Sequence, residues 1–210
     1  MSDPAGGEVN AYASFYETVQ GKAIAAAEAA LLDDMLRCCS SMLSIGCGPA
    51  AVERELLKRR PDLSITGLDA SEAMLQSASA DIPVVQGNAE ALPFASESFD
   101  SVVYITSLEF IGPYKKALDE TRRVLENFGR FIALMLNPAT AYFQERYRRS
   151  DSYVQRYIAH VKHDKLVAAV SSRFTVIRDT YRLGVSTDAT FESTDPEKAT
   201  LHVLEAIKHG

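Results

Sequence analysis

Ile45-Gly46-Cys47-Gly48-Pro49-Ala50 is the segment of this sequence best suited to chemistry. Two glycines one residue apart let the main chain turn sharply and let a ligand approach the backbone closely. A helix that follows such a turn aims unpaired N–H groups and a positive dipole end at whatever lies there. A G-x-G turn alone also occurs as a ligand-free tight turn. Asp69 lies about twenty residues beyond, where nucleotide-binding α/β folds place an acid for ribose hydroxyls. A carboxylate accepts from two vicinal hydroxyls at once. Asp69 also precedes Ser71 and a helical pattern, so plain capping competes with ribose binding until the glycine turn is considered with it. Gly46-x-Gly48-x-x-Ala51 fits the dinucleotide fingerprint too, which leaves a nicotinamide cofactor open at this stage.

The elements that must hold these residues follow from periodicity. Met42–Ile45 is a short apolar run that ends in the glycine turn and reads as a buried strand. Further strands are expected over Leu63–Leu68, Ile82–Gln86, Phe99–Ile105 and Arg130–Leu136. Helices are expected over Val52–Arg60, which Pro61 ends, over Ser71–Ala80, which Ser71 caps, and over Tyr114–Leu125. Strands alternating with helices imply right-handed βαβ units and a parallel sheet. Ahead of them, 12–37 reads as helical with Gly21 dividing a short helix from a longer one, and 1–9 reads as a frayed tail. After Pro138 come two or three helices rich in Tyr and Arg, then long strands at Phe174–Leu183 and Thr200–Ile207 with no crossover helix between them. The fold expected is α/β, a Rossmann-like three-layer sandwich. Its mostly parallel seven-stranded sheet carries a C-terminal antiparallel edge pair.

Two further motifs narrow the cofactor. Gly87-Asn88-Ala89-Glu90-Ala91-Leu92-Pro93-Phe94 follows the third strand, and Ser98-Phe99-Asp100-Ser101-Val102-Val103-Tyr104 forms the fourth. Ala117–Leu125 and then Gly129-Arg130 lead into the fifth. At these residues the chain resembles the class I S-adenosylmethionine-dependent methyltransferases. The likeness is strongest to the small-domain group that includes enzymes of ubiquinone and menaquinone biosynthesis. The resemblance runs from Met42 to Leu136 and rests on four motifs in order.

It implies S-adenosylmethionine as cofactor, with Gly46, Cys47 and Gly48 passing under its methionine part and Asp69 holding the ribose. Ala70 and Met74 would pack near the adenine, although Met74 reads equally well as plain helix core. Asn88 would meet the adenine edge with Ala89 beside it. Tyr104 would sit where the fourth strand opens toward the transferred methyl. Ser44 stands where family members carry an acid, Ala50 where they carry a third glycine, and Asn88 where many carry Asp. Glu109 follows the fourth strand and is read either as reaching the acceptor or as a helix-end charge. No catalytic base stands out. His160 and His163, at i, i+3 spacing, read mainly as surface residues.

One domain over 1–210 is expected, divided into a helical lid over 10–37, a cofactor core over 41–136, and acceptor-side helices and edge strands over 137–207. The lid reading rests on Tyr12, Phe15, Tyr16 and Thr18. The acceptor side, 137–182, holds nine Lys and Arg against four Asp and Glu, interleaved with Tyr142, Phe143, Tyr147, Tyr153 and Tyr157. That mixture suits an anionic or aromatic ligand, or simply a solvated helical face with arginine stems over apolar surface.

The whole chain has 210 residues, a net charge of -6, and 47% hydrophobic and 24% charged residues, the composition of a globular protein. The acidic balance argues against broad nucleic-acid binding, and the compact size fits a small-molecule methyl acceptor better than nucleic acid. Cys38, Cys39 and Cys47 form no C-x-x-C pair and read as reduced thiols, with no metal site. The N-terminal stretch lacks the pattern of a signal peptide and no apolar run reaches membrane-spanning length, so a cytoplasmic monomer or homodimer is expected. A nicotinamide-dependent oxidoreductase and a non-catalytic cofactor-binding module are the competing readings. The serine at position 44 is the main support of the module.

Overall fold

The computed structural model describes residues 12–78, 80–150, 152–186 and 189–209. The expected tail over 1–9, and 10–11 of the expected lid, lie outside the described residues. After a helical turn at 12–15 come α1 (Val19–Met35), β1 (Ser41–Ile45), α2 (Ala51–Arg59), β2 (Ser64–Asp69), α3 (Glu72–Gln76) and β3 (Val84–Gln86). Then follow β4 (Phe99–Ile105), a 3-10 turn (Leu108–Phe110), α4 (Tyr114–Val124) and β5 (Leu125–Leu136). Three helices, α5 (Ala141–Arg148), α6 (Tyr153–Tyr157) and α7 (Asp164–Ser171), precede β6 (Thr175–Val185), β7 (Thr190–Phe191) and β8 (Ala199–Ile207).

These strands form one sheet in the order β3-β2-β1-β4-β5-β8-β6-β7. β1 to β5 run parallel, and β8 inserts antiparallel between β5 and β6. The order reverses between β1 and β4, and ligands of open α/β sheets bind outside the carboxyl ends of the strands at such a switch point. The turn Gly46–Gly48 follows β1, and Thr106 and Ser107 follow β4, so the two loops face each other there.

Both faces of the sheet are covered, which is why its central strands read as continuous apolar runs. On one face Leu43, Val102, Tyr104 and Phe131 pack with Leu118 of α4 and Val170 of α7. On the other, Met42, Val103 and Ile132 pack with Ala25, Ala29 and Leu32 of α1 and Leu56 of α2. The small residues of α1 let that helix lie close to the sheet.

The sheet has eight strands where the sequence suggests seven. The extra strand, β7, is only two residues long, too short to show a period, and pairs with the end of β6. There the Phe191 ring lies over Gly184, where a Cβ would come within 2.1 Å of it. Gly21 does not divide two helices. It lies within the first turn of α1, whose N-cap is Thr18, with the Thr18 hydroxyl accepting from Gly21 N–H at 3.0 Å. Glycine is needed there because a Cβ would collide with the Phe15 carbonyl. β3 starts at Val84 rather than Ile82, because Pro83 has no N–H to give the ladder. α3 ends at Gln76 rather than Ala80.

Candidate active site

The turn after β1 is fixed before any ligand arrives. Gly46 N–H and Cys47 N–H both donate to Leu68 O, at 2.7 and 3.1 Å. Ser107 Oγ donates to Ile45 O at 2.6 Å, tying the loop after β4 to the end of β1. Gly46 has φ +73° and Gly48 φ +52°, the left-handed region that glycine enters without steric cost. Gly46 has a second reason to lack a side chain, since a Cβ there would lie 2.7 Å from Ser107 Cβ.

Asp69, at the end of β2, is nearly buried, and each carboxylate oxygen accepts one backbone hydrogen bond. Oδ2 takes Gly48 N–H at 2.8 Å and Oδ1 takes Ser71 N–H at 2.9 Å. Asp69 therefore clamps the glycine turn to the start of α3. The capping role belongs to Ser71, whose hydroxyl accepts from Met74 N–H at 3.3 Å.

A cleft of about 690 Å³, including its open mouth, lies along these residues. Gly46, Gly48, Asp69, Ala70, Met74, Asn88 and Ala89 all line it. Met74 is buried with its sulfur facing the Gly48 side, so core packing and cleft lining are one role here. Asn88 is exposed, and its Oδ1 accepts from Glu90 N–H at 3.1 Å, which leaves the amide N–H groups as its donors outward.

Two expected residues lie elsewhere. Tyr104 is fully buried on the α4 face of the sheet, away from the cleft lining. Its hydroxyl sits 2.6 Å from Thr121 Oγ1, and that hydroxyl donates to Ala117 O, so Tyr104 is the donor. Strand alternation explains the placement: Val102 and Tyr104 share one face, and Val103 and Ile105 the other. The cleft is reached only past the strand end, by Thr106, at φ 45°, and by Ser107. Cys47 points behind the turn against Gly67, and burial pushes its thiol far up, leaving it unreactive.

Other residues close the cleft. Tyr12 and Tyr153 line it with ring centroids 4.9 Å apart, and the Phe110 ring lies tilted against Tyr153 at 5.7 Å. The aromatic Tyr12 was the visible signal of a lid; Tyr153 was one tyrosine among several. Burial pushes the Tyr12 hydroxyl up to about 12. His160 and His163 do not form a pair. His160 Nε2 meets Ile111 O and Gly112 O at 3.1 and 3.2 Å, whereas His163 turns to His202, Nδ1 to Nδ1 at 3.0 Å.

Glu53 was not anticipated. It sits in the first turn of α2, buried, and Ser44 Oγ donates to its Oε1 at 2.5 Å. Burial pushes the Glu53 carboxyl up to about 7, against the lowering effect of the Ser44 bond. A buried acid from the next helix is thus joined to the end of β1 through Ser44. Glu53 lines a smaller cavity with Tyr12, Tyr16 and Gly46 that adjoins the cleft.

These residues fit an adenosylated amino acid. The glycine turn, the Asp69 carboxyl and the apolar Met74 and Ala89 line one cleft, and Glu53 adds an acid to the smaller cavity that shares Gly46 with it. Residues 43–133 match the family model described as a methyltransferase domain. By that match the stretch is similar to methyltransferase domains.

The match spans part of each relative. A demethylmenaquinone methyltransferase of Thermotoga maritima is 36% identical over 100 residues, 46% of this chain and 44% of that protein. A ubiquinone/menaquinone biosynthesis C-methyltransferase of Methylobacterium nodulans is 29% identical over 165 residues, 75% of this chain and 64% of that protein. The chain thus spans about half the length of the first of these and under two thirds of the second. A solved Thermotoga maritima structure, described as an S-adenosylmethionine-dependent methyltransferase and possible histamine N-methyltransferase, superposes with TM-score 0.76. It is 20% identical, with 97% of each chain covered, and shows that the methyltransferase domain and the C-terminal strands share one known fold. Among the described residues no helix is long and apolar enough to cross a membrane, and no cluster of ligands for a metal occurs.

Proposed function

We propose that this chain works as one S-adenosylmethionine-dependent methyltransferase domain acting on a small-molecule acceptor at the cleft under Tyr12 and Tyr153. The observation that carries this reading is Asp69. It clamps Gly48 and lines the same cleft as Met74, Asn88 and Ala89, at the end of β2 where an acid can accept from ribose hydroxyls. When bound, S-adenosylmethionine supplies a methyl made electrophilic by its sulfonium. The protein's part is to position and to exclude water. Gly46 and Gly48 let the backbone approach the methionine part, Asp69 holds the ribose, Ala70 and Met74 back the adenine, and Asn88 donates to its edge. Tyr12, Phe110 and Tyr153 shield the reacting end.

The serine at position 44, the main support for a non-catalytic module, loses its force because Glu53 provides the acid. Three unpaired thiols, Cys38, Cys39 and Cys47, favour a reducing compartment such as the cytoplasm. Calorimetric titration with S-adenosylmethionine, S-adenosylhomocysteine and NAD tests the reading. The adenosyl compounds are expected to bind and Asp69→Ala to lose them. Binding of NAD alone, or of none of the three, overturns it.

A further inference from the structure

Beyond β4 one side of the cleft is walled by a loop, and Phe110, Ile111, Gly112 and Pro113 of that loop line it. The loop is held from outside by a segment far along the chain. Ala159 N–H and His160 N–H both donate to Glu109 O, at 3.0 and 2.9 Å. The half-buried His160 ring reaches further, with Nε2 3.1 Å from Ile111 O and 3.2 Å from Gly112 O. Both partners are carbonyls, so Nε2 carries the hydrogen and donates. The Tyr114 ring meets the same imidazole nearly at right angles, centroids 4.8 Å apart. Glu109 secures the loop on its other side, its Oε1 accepting Leu136 N–H of β5 at 2.9 Å. That carboxyl is fully buried and does not line the cleft, so it neither reaches an acceptor nor serves as an exposed helix-end charge.

The holding segment also carries the facing lip of the cleft. α6 (Tyr153–Tyr157) runs directly into it, and Ile158 N–H closes that helix on Val154 O at 3.1 Å. Tyr153 lines the cleft from α6, and its ring centroid lies 5.7 Å from that of Phe110 on the wall. Phe110 and Val154 share one small apolar cluster, with Ile158 and Val161 packed against it. The tip of the wall lacks such packing. Gly112 and Pro113 are exposed, and a Cβ added at Gly112 would meet nothing within 4 Å. Where side-chain packing does not fix a glycine-containing tip, hydrogen bonds to its main chain must. The His160 imidazole supplies them, and it ties the wall to the element that presents Tyr153.

We propose that His160 is a positioning residue of this site: by holding the Ile111 and Gly112 carbonyls it fixes the wall against which the reacting methyl lies, opposite Tyr153. This rests on the methyltransferase reading above. His160 itself touches neither cofactor nor acceptor and moves no proton. Its effect is preorganisation. An in-line transfer tolerates little misplacement, and an error of about 1 Å can cost roughly a hundredfold in rate. A wall ordered before the ligand arrives removes that ordering from the cost of binding. The group required is one N–H donor at the place of Nε2. A glutamine amide offers such a donor, and alanine offers none. Coupling is reciprocal, so if the bond from His160 favours the bound state, binding must strengthen the bond.

The test is calorimetry on the full chain with S-adenosylmethionine and S-adenosylhomocysteine as probes. The two differ only by the methyl and its charge at sulfur, so the ratio of their affinities reads the reacting end and not the glycine turn. His160→Ala is expected to shift that ratio against S-adenosylmethionine by about fivefold or more, and His160→Gln to hold it near the wild-type value. An unchanged ratio in His160→Ala, with both affinities lowered together, means a merely structural role and overturns the proposal. So does a His160→Gln protein that behaves like His160→Ala. Should His160→Ala fail to fold, the wild type answers by nitrogen-15 histidine spectroscopy, the His160 resonance being assigned by its loss in His160→Gln. Its Nε2 proton should exchange with solvent about fivefold more slowly with S-adenosylmethionine bound than with S-adenosylhomocysteine. Equal exchange in the two complexes overturns the proposal. Failure of the wild type to bind either compound overturns the methyltransferase reading itself, and the role of His160 with it.

Discussion

Ser44 Oγ donates to Glu53 Oε1 at 2.5 Å, joining the end of β1 to the first turn of α2. An acid nine residues along the chain thereby stands against the serine near the end of the strand.

A charge-assisted hydrogen bond is worth about 1.5–3 kcal/mol. Glu53→Gln is therefore expected to weaken S-adenosylhomocysteine binding roughly tenfold or more at pH 8. Returning the acid to the strand in the double variant Ser44→Asp, Glu53→Gln should recover part of that loss. Because Glu53 titrates at about 7, wild-type affinity should fall as pH drops from 8 to 6, and the Gln variant should be flat. Calorimetry at three pH values decides; a wild-type affinity indifferent to pH would remove Glu53 from the cofactor site.

The same burial has a consequence for the ligand-free protein. Burial, first among the causes, raises Glu28 from 4.5 to about 8, and Glu53 and Glu109 from 4.5 to about 7. A raised carboxyl means that the folded state holds its proton more tightly than the unfolded state. Their contribution to stability is thus full below about pH 4.5 and declines as pH rises to about 8. A loss of even about 2 kcal/mol lowers the midpoint of a chain this size by about 4–8 °C. Thermal unfolding without ligand should show a falling midpoint between pH 5 and pH 8, flattened in Glu28→Gln. A midpoint that rises over that window would contradict the three buried acids.

The parallel core was legible because its signals are local. Apolar runs of five to seven residues, each followed by a turn residue and a helical period, mark β1, β2 and β4. Gly46, Gly48 and Asp69 were legible because turn chemistry and spacing constrain them together. Glu53 and Glu28 were not, because nothing in a helical sequence says that a glutamate faces inward. Tyr153 was hidden among neighbouring tyrosines, and only the tertiary fold brings it against Tyr12 across the cleft.

Tyr104 illustrates the reverse error, in which a motif position suggested function and alternation decided against it. Its hydroxyl donates to Thr121 inside the core. Tyr104→Phe should leave S-adenosylhomocysteine affinity within twofold and cost about 1 kcal/mol of stability, the net worth of one buried hydrogen bond. Urea unfolding and calorimetry measure the two effects separately. A tenfold loss of affinity at unchanged stability would return Tyr104 to the active site.

Gly46 and Gly48 look equivalent in sequence but differ in what surrounds them. At Gly48 an added Cβ would meet Tyr12 Cε1 at 3.6 Å and Met74 Sδ at 3.9 Å, ordinary contacts, so alanine suffers only from φ +52°. At Gly46 the added Cβ would come 2.7 Å from Ser107 Cβ, in addition to φ +73°. Ser107 cannot retreat cheaply, since its hydroxyl holds Ile45 O and its backbone begins the loop that walls the cleft. Left-handed alanine costs roughly 1–2 kcal/mol at either position. Gly48→Ala should therefore fold with about that loss and keep measurable S-adenosylhomocysteine binding. Gly46→Ala should be destabilised further and lose binding, because the loops after β1 and β4 can no longer close together. Ser107→Gly in the Gly46→Ala background removes the colliding Cβ and should restore part of the stability, as read by urea unfolding. No recovery in that double variant would show that φ, and not the contact with Ser107, is what demands glycine at position 46.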